Sequence, residues 1–176
     1  FVRRRGNALP FCRENTEFLH ELNAYRDVMQ AGRQWYDAQE KAPVHIRSRD
    51  GLTLRGELLR HPQPRGVVLA CHGYRSTGPR DFSGACRFYY EMGFSLLVIS
   101  QRACGDSEGR YITLGVKECL DCLDWISFLE QETQGRLPIV LAGISMGATT
   151  VLLAAGQQLP EQVRAVIADC GFCSPW

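Results

Sequence analysis

The sequence predicts an α/β fold in three layers, with a mostly parallel sheet that opens on an antiparallel hairpin. Three observations predict it. From Gly66 onward, short and continuously apolar segments alternate with helical ones. Such runs mark strands buried on both faces, and the alternation gives parallel pairing with right-handed crossovers. Before them, two strand patterns flank Asp50-Gly51, a strong hairpin signal. Composition agrees, since 45% apolar and 22% charged residues among 176 exclude a disordered chain, a collagen and a coiled coil.

The elements follow in order. Glu14 to Glu40 reads as helix, with Phe18, Leu22, Tyr25, Met29 and then Trp35-Tyr36 on roughly one side. Asn15 or Thr16 caps its start, and Gly32 is a place for it to split in two. The hairpin strands are Val44 to Arg49 and Leu52 to Arg60. The parallel strands are Gly66 to Cys71, Ser95 to Ser100, Pro138 to Ile144 and Arg164 to Ala168. Helices run from about Arg80 to Met92, Gly115 to Gln131 and Met146 to Gln157. The chain thus divides into a helical N-terminal extension, residues 1–42, and an α/β domain, residues 43–176.

Charge and apolar patterning narrow the partners. Twenty Lys+Arg balance nineteen Asp+Glu, so there is no basic field for a nucleic acid. No apolar run approaches the length of a membrane span. Phe1-Val2 is followed by Arg3-Arg4-Arg5, which reads as a solvated basic terminus or as the cytosolic flank of a membrane helix. The expected location is the cytoplasm, or a membrane surface if such an anchor precedes the chain.

Eight cysteines sit largely inside apolar patterns, where a reduced thiol acts as a small hydrophobe. Cys119/Cys122 and Cys170/Cys173 have C-x-x-C spacing. Zinc binding by the two pairs together, or dithiol redox chemistry at Cys170/Cys173, is the lesser reading, because the separation of the pairs and the late position of the second suit neither.

Gly143-Ile144-Ser145-Met146-Gly147 carries the strongest chemical signal. It lies where an apolar strand meets an apolar helix, and a serine on such a turn is held in a strained conformation. Gly143 and Gly147 leave room for the turn to close. The helix N-terminus behind Ser145 directs N–H groups at a developing oxyanion. Cys71-His72-Gly73-Tyr74 follows another strand end. His72-Gly73 lets the chain turn so that the Tyr74 N–H joins the Met146 N–H in a two-donor oxyanion hole. His72 is read as loop support rather than as a base. The loop Gln101 to Gly109 contains Gly105-Asp106-Ser107. It is read as a brace using Arg102 and Asp106, with Ser107 not a nucleophile.

His72-Gly73-Tyr74, the Arg102 to Gly109 loop and Gly143 to Gly147 together resemble the α/β-hydrolase superfamily, in its order and near its spacing. The resemblance covers about Val44 to the C-terminus. "QRACGDSEGR", "AGISMGATTVLLAA" and "AVIADCGFCSPW" are similar to a group of bacterial serine hydrolases of esterase-like or prolyl-oligopeptidase-like type, whose members often carry an N-terminal membrane helix. Cys104 departs from the His common at that position. The family order is Ser, acid, His, yet all four histidines, at 20, 45, 61 and 72, precede Ser145. Asp169 at a strand end is read as a loop brace rather than the acid.

The chain is therefore expected to be a C-terminally incomplete α/β-hydrolase fold, with acid and base beyond Trp176. It is expected to be inactive by itself. The resemblance implies a serine hydrolase cleaving an ester, thioester or amide of a small-molecule or peptide acyl substrate. Ser145 is the nucleophile, and no metal or other cofactor is implied. The competing readings are a hydrolase-like binding module and a thiol redox protein.

Overall fold

A computed structural model describes residues 2–3 and 16–172 of the chain. The elements are β1 (Val2–Arg3), α1 (Thr16–Asp37), β2 (Ala42–Arg47), β3 (Thr53–Leu59), β4 (Gly66–Cys71), α2 (Gly78–Asp81), α3 (Ser83–Glu91), β5 (Phe94–Ser100), β6 (Tyr111–Ile112), α4 (Glu118–Thr133), β7 (Ile139–Ile144), α5 (Met146–Ala155) and β8 (Val163–Asp169). Six strands form one sheet in the order β2-β3-β5-β4-β7-β8. β2, β3 and β5 are antiparallel neighbours, and β5, β4, β7 and β8 run parallel. β1 and β6 make a separate antiparallel pair, Val2 with Ile112 and Arg3 with Tyr111. The basic N-terminal run thus begins in a strand pairing, and residues 4 and 5 lie outside the described ones.

The alternation of side chains along doubly buried strands divides the core in two. Val67, Leu69 and Cys71 of β4 pack with Trp125, Ile126 and Leu129 of α4 and with Val151 and Ala154 of α5. Val68 and Ala70 face the other way, against Tyr36 of α1 and Phe82 and Cys86 around α3. Two helical layers around one sheet result.

Three local expectations change. The helical pattern across 80–92 is broken at Phe82 into α2 and α3. α4 begins at Glu118, because Leu114 and Gly115 take positive φ. The Glu118 carboxylate then accepts hydrogen bonds from the N–H groups of Thr113 and Gly115 at 2.8 and 2.9 Å. β8 has the apolar sequence of a buried strand; among the described residues it pairs with β7 alone, and Ile167 is 43% exposed. Gly32, finally, does not split α1, which runs unbroken through it. A Cβ there would overlap the Ser83 carbonyl, so Gly32 is the point where α1 crosses α3. No helix among the described residues is long and apolar enough to cross a membrane.

Arg102, at the end of β5, binds three segments together. Its Nε donates to Asp121 of α4 at 2.6 Å and its Nη1 to Asp50 of the hairpin turn at 2.9 Å. Asp106, the other expected brace, is exposed. The loop is braced instead by Ser107 and Glu108. Ser107 Oγ donates to the Ser100 carbonyl and accepts the Arg55 N–H, and Glu108 accepts the Thr53 N–H. Burial raises the Asp121 carboxyl to about 6 against the opposing pull of Arg102. Arg102 holds Asp50 well below the usual carboxylate range.

Two stability measurements check these contacts. Helix propensity alone would make Gly32→Ala stabilising by ~1 kcal/mol. Overlap with a backbone carbonyl costs ~1–3 kcal/mol. The variant is expected to melt below wild type, and a higher melting temperature would refute the crossing. Arg102→Met leaves Asp121 buried with no cation, which costs about 3–5 kcal/mol. Urea unfolding at pH 8, where Asp121 is ionised, should show that loss.

Candidate active site

Ser145 occupies the single-residue turn between β7 and α5, with φ 55° and ψ −115°. A side chain at positive φ is strained, and such strain persists where the surroundings over-determine it. Here they do. The Ser145 N–H donates to the Asp169 carbonyl at 2.8 Å, and its carbonyl accepts the Thr149 N–H at 3.1 Å. Asp169 thus braces the turn through its backbone.

The glycines on either side are required by space, since neither has positive φ. A Cβ on Gly143 would overlap the Gly147 carbonyl, and one on Gly147 would overlap the Cys71 carbonyl. The first turn of α5 therefore rests directly on the end of β4, and the two chain segments of the site meet there. Gly73 completes the approach. A Cβ on it would lie 3.4 Å from the Ser145 Cβ.

The structure thus brings Ser145, Met146, Gly143, Gly147, His72, Gly73 and Tyr74 together at the C-terminal ends of β4 and β7. This is where open α/β sheets bind ligands. Ser145 is half-buried. Among the described residues, neither the Tyr74 N–H nor the Met146 N–H is committed to an acceptor.

His72 is fully buried. Its Nδ1 lies 2.8 Å from the Gly73 carbonyl and its Nε2 accepts the Gln101 N–H at 3.1 Å. That pair of bonds fixes one neutral tautomer, with the proton on Nδ1. Burial lowers the imidazole's affinity for a second proton. Both ring nitrogens are occupied, so the ring braces the loop. Among the described residues, no imidazole hydrogen-bonds to Ser145.

Two supports have no local sequence signal. Asp81, the last residue of α2, accepts the Gly73 N–H at 2.7 Å and the Ser76 hydroxyl. It closes the turn that carries Tyr74. Gln101 donates its N–H to His72 Nε2 and its side-chain amide to the His72 carbonyl, while its Oε1 accepts from Thr150 Oγ1 at 3.0 Å. The ends of β4 and β5 and the middle of α5 are joined by these bonds.

The cysteines are dispersed. Cys119 and Cys122 are buried on α4, and the Cys122 thiol is raised by a hydrogen bond to Cys71. Cys170 is exposed after β8, and Cys173 lies outside the described residues. No group of three or more metal-ligating side chains clusters among the described residues.

Residues 62–176 match the family of serine aminopeptidases, S33. An uncharacterized protein of Bacillus subtilis, YqkD, is 29% identical over 78% of this chain and 45% of its own length. The thiohydrolase aneE of Aspergillus aculeatus is 30% identical over 76% of this chain and 43% of its own length. The chain thus spans less than half of these relatives. Among solved structures, the esterase Pf2001 of Pyrococcus furiosus superposes with a TM-score of 0.69 at 24% identity. The match covers 84% of this chain and 54% of the esterase. An α/β serine hydrolase without a lid from Xanthomonas campestris gives a TM-score of 0.58 at 23% identity, over 66% and 56% of the two chains. The fold, the strand-end cluster around Ser145 and the match over residues 62–176 agree: the chain belongs to the S33 serine aminopeptidase family of α/β hydrolases.

Proposed function

We propose that the chain supplies the nucleophile and oxyanion hole of a serine hydrolase acting on an ester, thioester or amide. One observation carries the reading. A half-buried serine at positive φ stands beside two uncommitted N–H groups, those of Tyr74 and Met146. The thiohydrolase and esterase named above support it by similarity.

In this reading Ser145 Oγ attacks the carbonyl carbon and gives its proton to an imidazole base. The carbonyl oxygen becomes an oxyanion and accepts hydrogen bonds from Tyr74 and Met146. Collapse expels the alcohol, thiol or amine, which takes the proton from the imidazolium. Water then repeats the sequence on the acyl-enzyme and frees the acid. His72 cannot be that base, because its Nε2 is held by Gln101. The base and its carboxylate partner come from outside the described residues. Gly143, Gly147, Gly73 and His72 act by shaping the two loops.

A fluorophosphonate probe on the full-length protein tests this reading. Label is expected on Ser145 and lost in Ser145→Ala. Label that survives the substitution would place the reactive nucleophile elsewhere, and none at all on folded protein would return the hydrolase-like binding module. Asp81→Ala tests the oxyanion loop. Removing one oxyanion donor costs about a hundredfold to a thousandfold in kcat. A loosened donor should cost less, roughly tenfold to a hundredfold, with KM little changed in steady-state kinetics.

A further inference from the structure

Arg75 follows Tyr74 in the proposed oxyanion loop, and its surroundings differ from those of the ion-paired arginines. Arg33, Arg49, Arg60, Arg87 and Arg102 each meet a carboxylate. Arg75 meets none among the described residues. Its Nε is buried with no hydrogen-bond partner. Its backbone is held at φ 52°, which a side chain rarely adopts. Its guanidinium lies over the Tyr74 ring, Cζ 5.1 Å from the ring centroid, within the range of a cation–π contact. The Tyr74 ring in turn packs against Ala103, Cys104, Ile112 and Met146.

These observations are independent, and they point the same way. A buried donor with no acceptor is costly, and such groups in folded proteins call for an explanation. Backbone strain in a loop that touches the nucleophile points to a constraint on the site. A guanidinium stacked on an aromatic ring is pre-organised, and its planar fork matches a carboxylate or a phosphate in two parallel bonds. Its nearest carboxylate in sequence, Asp81, is already engaged by Gly73 and Ser76.

We propose that Arg75 is a specificity-determining residue that binds an anionic group, a carboxylate or phosphate, carried by the acyl substrate. This rests on the serine hydrolase reading of the same site. The substrate class becomes an ester, thioester or amide with a negative charge a few bonds from the scissile carbonyl. The Tyr74 N–H then takes the oxyanion while the adjacent side chain takes the charge that stays on the substrate. Both contacts come from neighbouring residues of one loop.

The test compares two esters on the full-length protein. One is ethyl butyrate, and the other is the monoethyl ester of succinate, of similar length with a terminal carboxylate, and the poor alkoxide leaving group keeps that carboxylate from expelling its own ester. The ratio of their kcat/KM values is the readout. Wild type should favour the succinate ester. In Arg75→Met that preference should fall tenfold or more, and in Arg75→Lys at least threefold, since the charge remains but the fork is lost. A preference unchanged within twofold in both variants overturns the proposal. If Arg75→Met does not fold, Arg75→Lys decides alone.

A binding measurement keeps the two readings separate. Calorimetric titration of Ser145→Ala with the succinate ester gives a Kd that needs no turnover. Adding Arg75→Lys should raise that Kd at least threefold. If neither ester is turned over but this shift appears, the hydrolase reading fails and the Arg75 site stands. If turnover depends on Ser145 and the shift is absent, the Arg75 site fails and the hydrolase reading stands. Competition by succinate against inorganic phosphate distinguishes the two anion sources, and inhibition by neither, in either ester assay, overturns the proposal.

Discussion

The rest of the site depends on one close approach, that of the first turn of α5 onto the end of β4. The Gly147 backbone meets the carbonyls of Cys71 and His72 so closely that a single methyl group would force them apart. Because the helix begins there, the chain must pass from β7 into α5 in one residue. Ser145 is that residue and takes a strained conformation at positive φ. The cost is of order 1–3 kcal/mol. Bonds to Asp169 and Thr149 and the pairing of β7 on both sides oppose any relaxation. The same contact sets Gly73 against Ser145. The Ser145 turn and the Gly73–Tyr74 loop are therefore positioned by the same packing, and neither can shift without the other.

Around this contact the loops are held by buried polar groups whose partners are mutually complete. Gln101 uses its backbone donor, its amide donor and its amide acceptor on His72 and Thr150. His72 uses both ring nitrogens. Arg102 spends its fork on Asp121 and Asp50. A fully satisfied buried network is rigid and specifies one arrangement. The neutral network lies next to the site and the ionic one farther along the same loop.

The sequence was most informative where burial acts locally. Strands β4, β5 and β7 are apolar without interruption because both faces are covered, and their limits were read to within a residue. The Ser145 turn was legible because strand, serine and small flanking residues occur together. Long-range polar contacts were legible only as the bracing roles of Arg102 and His72, and their partners were not. Asp81 and Gln101 look like ordinary surface or loop residues until the fold brings Gly73 and His72 against them. Gly32 shows the same gap. A glycine inside a helix reads as a weak point, and only the crossing of α1 over the Ser83 carbonyl shows why no side chain is there.

The order of strands has a consequence for how the sheet is assembled. β4 lies at its centre, with β5 on one side and β7 on the other, and β8 adds outside β7. On this side the strands stand in the order in which they leave the ribosome, and domains form largely from the N-terminus during synthesis. β7 can dock as soon as α4 has crossed over, and its outer edge stays open until β8 is delivered. The hydrogen bond that secures the Ser145 N–H comes from Asp169, the last residue of β8. The geometry of the Ser145 turn is therefore completed only when the growing edge has advanced one strand beyond it, and a nascent chain halted before Asp169 holds the serine without its outer tether.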